Sequence, residues 1–108
     1  MTNKFGAVSV ITEDGERFDS KKEFRRWNDL LWLKEAGQIT ELAHHVKYEL
    51  NVNGVHIGTY EADYVYRDTQ TDELIVEDCK SAPTRKLAAY RLKKKLMKAL
   101  YRVEVVET

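Results

Sequence analysis

Residues 60–80 read Tyr60-Glu61-Ala62-Asp63-Tyr64-Val65-Tyr66-Arg67-Asp68-Thr69-Gln70-Thr71-Asp72-Glu73-Leu74-Ile75-Val76-Glu77-Asp78-Cys79-Lys80. Two runs rich in Tyr, Val and Ile flank the polar, turn-like segment Arg67–Glu73, which is the pattern of a β-hairpin. Closing the strands on Asp68 and Glu73 leaves a four-residue loop and sets Val65 against Val76, Tyr66 against Ile75 and Asp63 against Asp78. The apolar matching supports this register independently of the acids. Lys80, two residues beyond Asp78, falls on the same face. Directly opposed residues sit about 4.5–5.5 Å apart at Cβ, where like charges destabilise a sheet. The paired acids therefore predict a compensating charge, which a divalent cation with the lysine beside it would supply.

Working outward, Ser20-Lys21-Lys22-Glu23 has the Ser-x-x-Glu form of a capping box and opens a helix that runs to about Ala36, with Gly37 as its stop. Phe5 to Ile11 is a short apolar run, a strand or an ordered arm, ending at the turn signal Glu13-Asp14-Gly15-Glu16. Ile39–Leu42 and Val46–Val52 read as strand segments. Asn53-Gly54 signals a tight hairpin into Val55-His56-Ile57, and a meander leads on to the Asp63 strand. Pro83-Thr84 begins a second helix reaching about Tyr101, and Val103–Val106 closes the chain as a strand. The expected fold class is α+β: a central mixed sheet of four to five strands flanked by two helices, in the order α-β-β-β-α-β.

A chain of 108 residues with 43% hydrophobic content is expected to form one domain, residues 1–108. Cys79 is the only cysteine, so an intrachain disulfide or a thiolate cluster is excluded, which suits a reducing cytoplasm. No run approaches the ~20 apolar residues of a membrane span, and no cleavable leader is evident, so a soluble cytoplasmic protein is expected. The formal charge of zero hides a division. Residues 1–78 carry nine Lys/Arg against sixteen Asp/Glu, whereas residues 79–108 carry nine against two. A localised anion-binding surface and a solvated lysine-rich helix face both fit that asymmetry.

Two helical faces sharpen the picture. Glu23 has two roles open to it: bonding the Ser20 N–H within the capping box, or pointing at the sheet, because it falls in the helical arc of Phe24, Trp27, Leu30 and Leu31. In the second helix, Ala88, Ala89, Leu92, Leu96, Ala99 and Leu100 form a continuous apolar arc, the expected core face. Arg91, Lys95, Lys98 and Arg102 make one basic flank. Lys86 and Lys93 stack on the other with Tyr90 and Met97 beside them, near enough to the acidic pair for phosphate contact. Trp32 and Leu33 fall off the buried arc of the first helix and could mark a subunit contact in a two-fold dimer.

The segments Phe18–Glu23, Ala36–Ile39, Tyr60–Tyr64, Val76–Ser81 and Lys93-Lys94-Lys95-Leu96 resemble a small phage and prophage family of the PD-(D/E)XK nuclease superfamily, over nearly the whole chain. That family is similar in its core to archaeal-type Holliday junction resolvases and to the endonuclease subunit of Tn7-like transposases. The resemblance implies a restriction-endonuclease-like core with Glu23 as the helical acid, Asp63 as the motif aspartate, and Asp78 with Lys80 as the Asp-x-Lys pair. Ala62 stands where the superfamily often has proline, and Ser81 where glycine is usual. The implied partner is DNA, branched or junction DNA in particular, met by Lys86, Tyr90, Lys93, Lys94 and Lys95 and handled by a homodimer in the cytoplasm, the host's if the chain is phage-encoded.

The chemistry is consistent with that resemblance. Hydrolysing a phosphodiester requires an activated water and neutralisation of charge on the phosphoryl oxygens, both of which a divalent metal supplies. Carboxylate oxygens suit Mg²⁺ or Mn²⁺, and the scarcity of Cys and clustered His argues against zinc. Asp63 and Asp78 are the expected direct ligands, with the backbone carbonyl of Cys79 as a third and Glu23 contacting the ion directly or through water. Lys80 is expected to orient or deprotonate the attacking water and to stabilise developing charge. Glu77 points to the opposite face, toward Tyr64 or a helix, and is excluded. His44, His45 and His56 lack the i, i+4 or triad spacing of ligands or bases and are expected to stand outside the site. The leading expectation is a metal-dependent, structure-selective DNA endonuclease. The alternatives are a non-cleaving nucleic-acid-binding module on the same fold and a phage protein directed at a host protein.

Overall fold

The structure is a computed structural model that describes residues 10–11, 17–18, 20–80 and 82–108. Most of the first apolar run (Phe5–Ser9), the turn at Glu13–Glu16 and Ser81 lie outside the described residues. A two-stranded antiparallel ribbon, β1 (Val10–Ile11) and β2 (Arg17–Phe18), precedes α1 (Lys21–Glu35). Then come β3 (Ile39–Val52), β4 (Val55–Asp68), β5 (Leu74–Asp78), α2 (Ala82–Arg85), α3 (Ala88–Tyr101) and β6 (Val106–Glu107). The main sheet runs β3-β4-β5-β6, antiparallel except for the parallel β5–β6 pair. The class is α+β with a mixed four-stranded sheet, as expected, and with three helices rather than two among the described residues.

The helix α1 begins and ends as its sequence dictates. Ser20 Oγ accepts the Glu23 N–H at 3.1 Å. At the other end Gly37 takes φ 75°, while Gly37 N bonds Lys34 O and Gln38 N bonds Leu33 O, the paired bonds of a Schellman stop. The hairpin between β3 and β4 turns on Asn53 and Gly54, both at positive φ, as an Asn-Gly turn requires.

Two expectations need correction. The segments Ile39–Leu42 and Val46–Val52 are one strand, which runs through Glu41 and His45 at φ 56° and 53°, with register shifts between Thr40 and Ala43 and between Leu50 and Asn51. Val55 likewise begins the same strand that carries Asp63. The second helix is two helices, broken at Leu87, whose extended backbone (ψ 132°) caps α3.

Side chains alternate along β5 between two cores. Ile75 and Cys79 join Phe18, Leu30, Ile39, Tyr64 and Tyr66 under α1, while Val76 joins Leu50, Tyr60, Ala62, Val65, Tyr90, Met97 and Val105 under α3. The sheet is therefore sandwiched between α1 and α3.

Of the expected core face of α3, Leu96 packs against the core, and the rest is overturned. Met97 is fully buried and Tyr90 nearly so, whereas Leu92 is 54% and Leu100 37% exposed, and Ala88, Ala89 and Ala99 face solvent. The hydroxyl of Tyr90 donates to Glu107 Oε2 at 3.2 Å and Lys94 Nζ donates to Glu107 Oε1 at 2.8 Å, so both turn toward β6. The short return from Tyr101 to Val106 brings Val103 and Val105 onto the same core, and Met97 and Tyr90 share that side of the helix. Of the pair expected off the α1 core, Trp32 is 76% exposed but Leu33 packs against it.

Candidate metal centre

The hairpin register is the one the apolar pattern dictates. Tyr64 pairs with Glu77, Val65 with Val76 and Tyr66 with Ile75, and the loop closes with Asp68 N bonding Glu73 O at 3.0 Å. One step further, Asp63 meets Asp78, and the strands exchange side-chain bonds in place of ladder bonds. Asp63 N donates to Asp78 Oδ1 at 3.2 Å, and Cys79 N donates to Asp63 Oδ2 at 2.8 Å. Lys80 Nζ lies 3.3 Å from Asp63 Oδ1 and 3.6 Å from Asp78 Oδ1. The like-charge problem is thus relieved by two backbone N–H groups and one ammonium.

These contacts do not cancel the cost of burial for Asp78, which has no solvent exposure. Burial pushes its carboxyl up to about 6; Lys80 pulls the other way and Asp63 adds to the rise. Burial would also lower the Lys80 pKa, but Asp63 and Asp78 outweigh it and hold the ammonium above its ordinary value. The Tyr60 hydroxyl donates to Asp78 Oδ2, and burial with that carboxylate beside it drives the phenol pKa upward.

Glu23 takes the second of its two candidate roles. Its backbone N–H donates to Ser20 Oγ, while its carboxylate, on a residue 3% exposed, is buried at the sheet, where Oε1 meets His45 Nε2 at 2.8 Å. The Tyr64 hydroxyl donates to the Glu23 carbonyl and ties the first turn of α1 to β4.

Glu23, His45 and Asp63 each present one ligand atom, all within 4.8 Å of one another. Ligands of a cation bound at about 2.1 Å lie at most about 4.2 Å apart, so small side-chain movements would close the three around an ion. Two carboxylates and an imidazole therefore fit a divalent metal.

This arrangement corrects the expectation that the histidines stand apart. His45 sits between the pairs His44↔Tyr64 and Val46↔Ala62, in the register that sets it across from Asp63, with its backbone at φ 53°. Asp78 lies beside the group rather than in it, its oxygens facing Tyr60, the Asp63 N–H and Lys80. Cys79 contributes its N–H, and its side chain packs in the α1 core.

Glu77 is held apart, as expected. It is fully buried on the α1 side, where Arg26 grips both oxygens at 2.5 and 3.1 Å and the Tyr66 and Thr108 hydroxyls donate at 2.6 and 3.1 Å. The Glu77 hydrogen bond raises the Arg26 pKa, while burial pushes the Tyr66 phenol up to about 12. Because Arg26 follows Glu23 by one turn, this clasp fixes the height of Glu23 over the sheet.

Two clefts meet at Glu61 and Lys80. One, of 450 Å³, is lined by Arg17, His45, Glu61, Asp63 and Lys80; the other, of 580 Å³, extends along Lys47, Tyr60, Tyr90 and Lys93. The expected nucleic-acid residues divide between surfaces. Lys93 lines the second cleft, Lys86 is exposed in the turn before α3, and Lys94 is engaged with Glu107. Lys95 lines a separate concavity with Arg91 and Lys98. Tyr90 is largely buried and bonded to Glu107, and it also lines the second cleft.

The family model described as "Protein of unknown function (DUF1064)" matches residues 2–107, and the chain belongs to that family. No curated protein and no solved structure gave a match. No helix among the described residues is long and apolar enough to cross a membrane.

Proposed function

We propose that this chain is a metal-dependent endonuclease with a restriction-endonuclease-like core, hydrolysing phosphodiesters in branched DNA such as four-way junctions during phage recombination or replication. One observation carries the reading: Asp63, flanked by Glu23 on one side and by Lys80 and Asp78 on the other, stands at the head of an open cleft. Mg²⁺ or Mn²⁺ bound there supplies charge neutralisation and an activated water. Glu23 and Asp63 hold the ion, and Asp78 orients Asp63 through its N–H and buries the negative charge that keeps Lys80 in place. Lys80, its ammonium held beside Asp63 and Asp78, orients or deprotonates the attacking water and stabilises charge on the phosphoryl oxygens. A two-fold dimer through the exposed Trp32 would bring two such sites to a symmetric junction in the cytoplasm.

The test is cleavage of labelled four-way junction, flap and duplex DNA with Mg²⁺, Mn²⁺ or EDTA, using wild type, Asp63→Ala and Lys80→Ala. The expected result is metal-dependent cutting by wild type alone, with the variants reduced at least about 100-fold. A second reading, a binding module that does not cut, is favoured by the saturated contacts of Asp78. Metal-independent DNA binding without cleavage of any substrate by folded wild-type protein would establish it instead.

A further inference from the structure

Resting on the metal-site part of that proposal, we infer that His45 is a nitrogen ligand of the metal through Nε2, and that the site is consequently selective for Mn²⁺ over Mg²⁺. The Nε2 atom lies 2.8 Å from Glu23 Oε1, and a ring nitrogen of His45 lies within 4.8 Å of a carboxylate oxygen of Asp63. The imidazole also lines the 450 Å³ cleft, which offers a path by which an ion reaches Nε2 from solvent.

The ring's other nitrogen supports the assignment. A metal-bound histidine generally donates its remaining N–H to an acceptor that fixes its tautomer and orientation. His45 Nδ1 lies 3.3 Å from His44 Nδ1, and the His44 ring is itself wedged edge-on against Trp27 at 4.7 Å between centroids and close to Phe18 at 5.8 Å. In the metal-free protein, an Nε2–H facing Glu23 leaves His45 Nδ1 to accept from His44. With Nε2 given to the metal, the Nε2 proton leaves to solvent, the proton between the two Nδ1 atoms passes from His44 to His45, and His44 takes a proton from solvent at its own Nε2. Each arrangement keeps one N–H···N bond between the rings, so metal entry requires this exchange of protons and no movement of the backbone.

The expected selectivity follows from the donor set. Mg²⁺ takes oxygen ligands and holds its waters tightly, whereas first-row divalent ions gain from an imidazole nitrogen. A site of carboxylates alone would discriminate far less.

The experiment uses untagged full-length protein and Mn²⁺ as the probe. Pulsed electron paramagnetic resonance of the Mn²⁺ complex should show ¹⁴N coupling from a directly bound imidazole, absent in His45→Gln. Titration calorimetry should give at least about tenfold tighter binding of Mn²⁺ than of Mg²⁺, with that ratio falling to about threefold or less in His45→Gln and little change in Mg²⁺ affinity. His45→Ala serves if the glutamine variant misfolds, and the wild-type spectrum requires neither. Bound Mn²⁺ without nitrogen coupling, or an unchanged metal preference in a folded His45 variant, would overturn the inference. The outcomes separate the two proposals. Nitrogen-coupled Mn²⁺ with no cleavage keeps the ligand and removes the nuclease, whereas cleavage with no nitrogen coupling does the reverse.

Discussion

At the scale of single residues, Asp78 makes the protein's stability depend on its protonation. Its folded pKa rises from 3.8 to about 6, so between those values the folded protein holds a proton that the unfolded chain has released. Stability from this group is present below about pH 4 and is lost as pH rises through about 6, to an extent on the order of 2–3 kcal/mol. Urea unfolding in EDTA from pH 4 to 7.5 should show that decline in wild type and lose most of it in Asp78→Asn. The opposed acids were legible in the sequence because strands repeat every two residues, and one apolar register fixes every partner. His45 was not legible, because its place depends on the long-range pairing of β3 with β4, whose register, with His44 opposite Tyr64 and Val46 opposite Ala62, sets it across from Asp63.

At the scale of elements, the position of α1 over the sheet depends on a buried ion pair as much as on apolar packing. Arg26→Ala would leave the Glu77 carboxylate buried with only hydroxyl partners, which should cost about 3 kcal/mol. The same change should weaken Mn²⁺ binding, because Glu23 lies one turn along the same helix. A double variant with Glu77→Gln should recover much of the stability, as measured by denaturant unfolding.

Helix α3 supplies the second prediction at this scale. Met97→Ala should cost about 2–5 kcal/mol, whereas Leu92→Ala should change stability by less than about 0.5 kcal/mol, the reverse of the ranking that apolar periodicity implies. Equal costs would show that the Leu92 arc is buried in the protein as it exists in solution. Helix periodicity finds the apolar stripe but does not know which side the return strand approaches from. Here Glu107 draws Tyr90 and Lys94 inward, and long side chains with polar ends cover the core edge. The caps of α1 were legible because Ser20 and Gly37 act through local backbone geometry alone.

At the scale of the whole molecule, the basic charge of residues 79–108 does not form one surface, although the sequence presents Lys93, Lys94 and Lys95 as a single run. The helix distributes them. Lys93 faces the cleft that joins the candidate metal centre at Lys80, Lys94 holds the last strand through Glu107, and Lys95 faces away with Arg91 and Lys98. If DNA enters along the cleft, only the first should behave as a phosphate contact. Lys93→Ala should weaken junction binding uniformly across sequences and reduce the slope of log K against log salt by about 1, the loss of one neutralised phosphate. Lys95→Ala should leave that slope within error of wild type. Lys94→Ala should lower the unfolding midpoint and detach β6, whose parallel pairing holds the Asp78 carbonyl through Thr108 N at 2.9 Å. Fluorescence anisotropy with a labelled four-way junction in EDTA, over a range of potassium chloride concentrations, measures binding without cleavage. Equal slopes for wild type and Lys93→Ala, with a reduced slope for Lys95→Ala, would move the DNA path from the cleft to the opposite flank of α3, where the metal centre could not reach a bound phosphodiester.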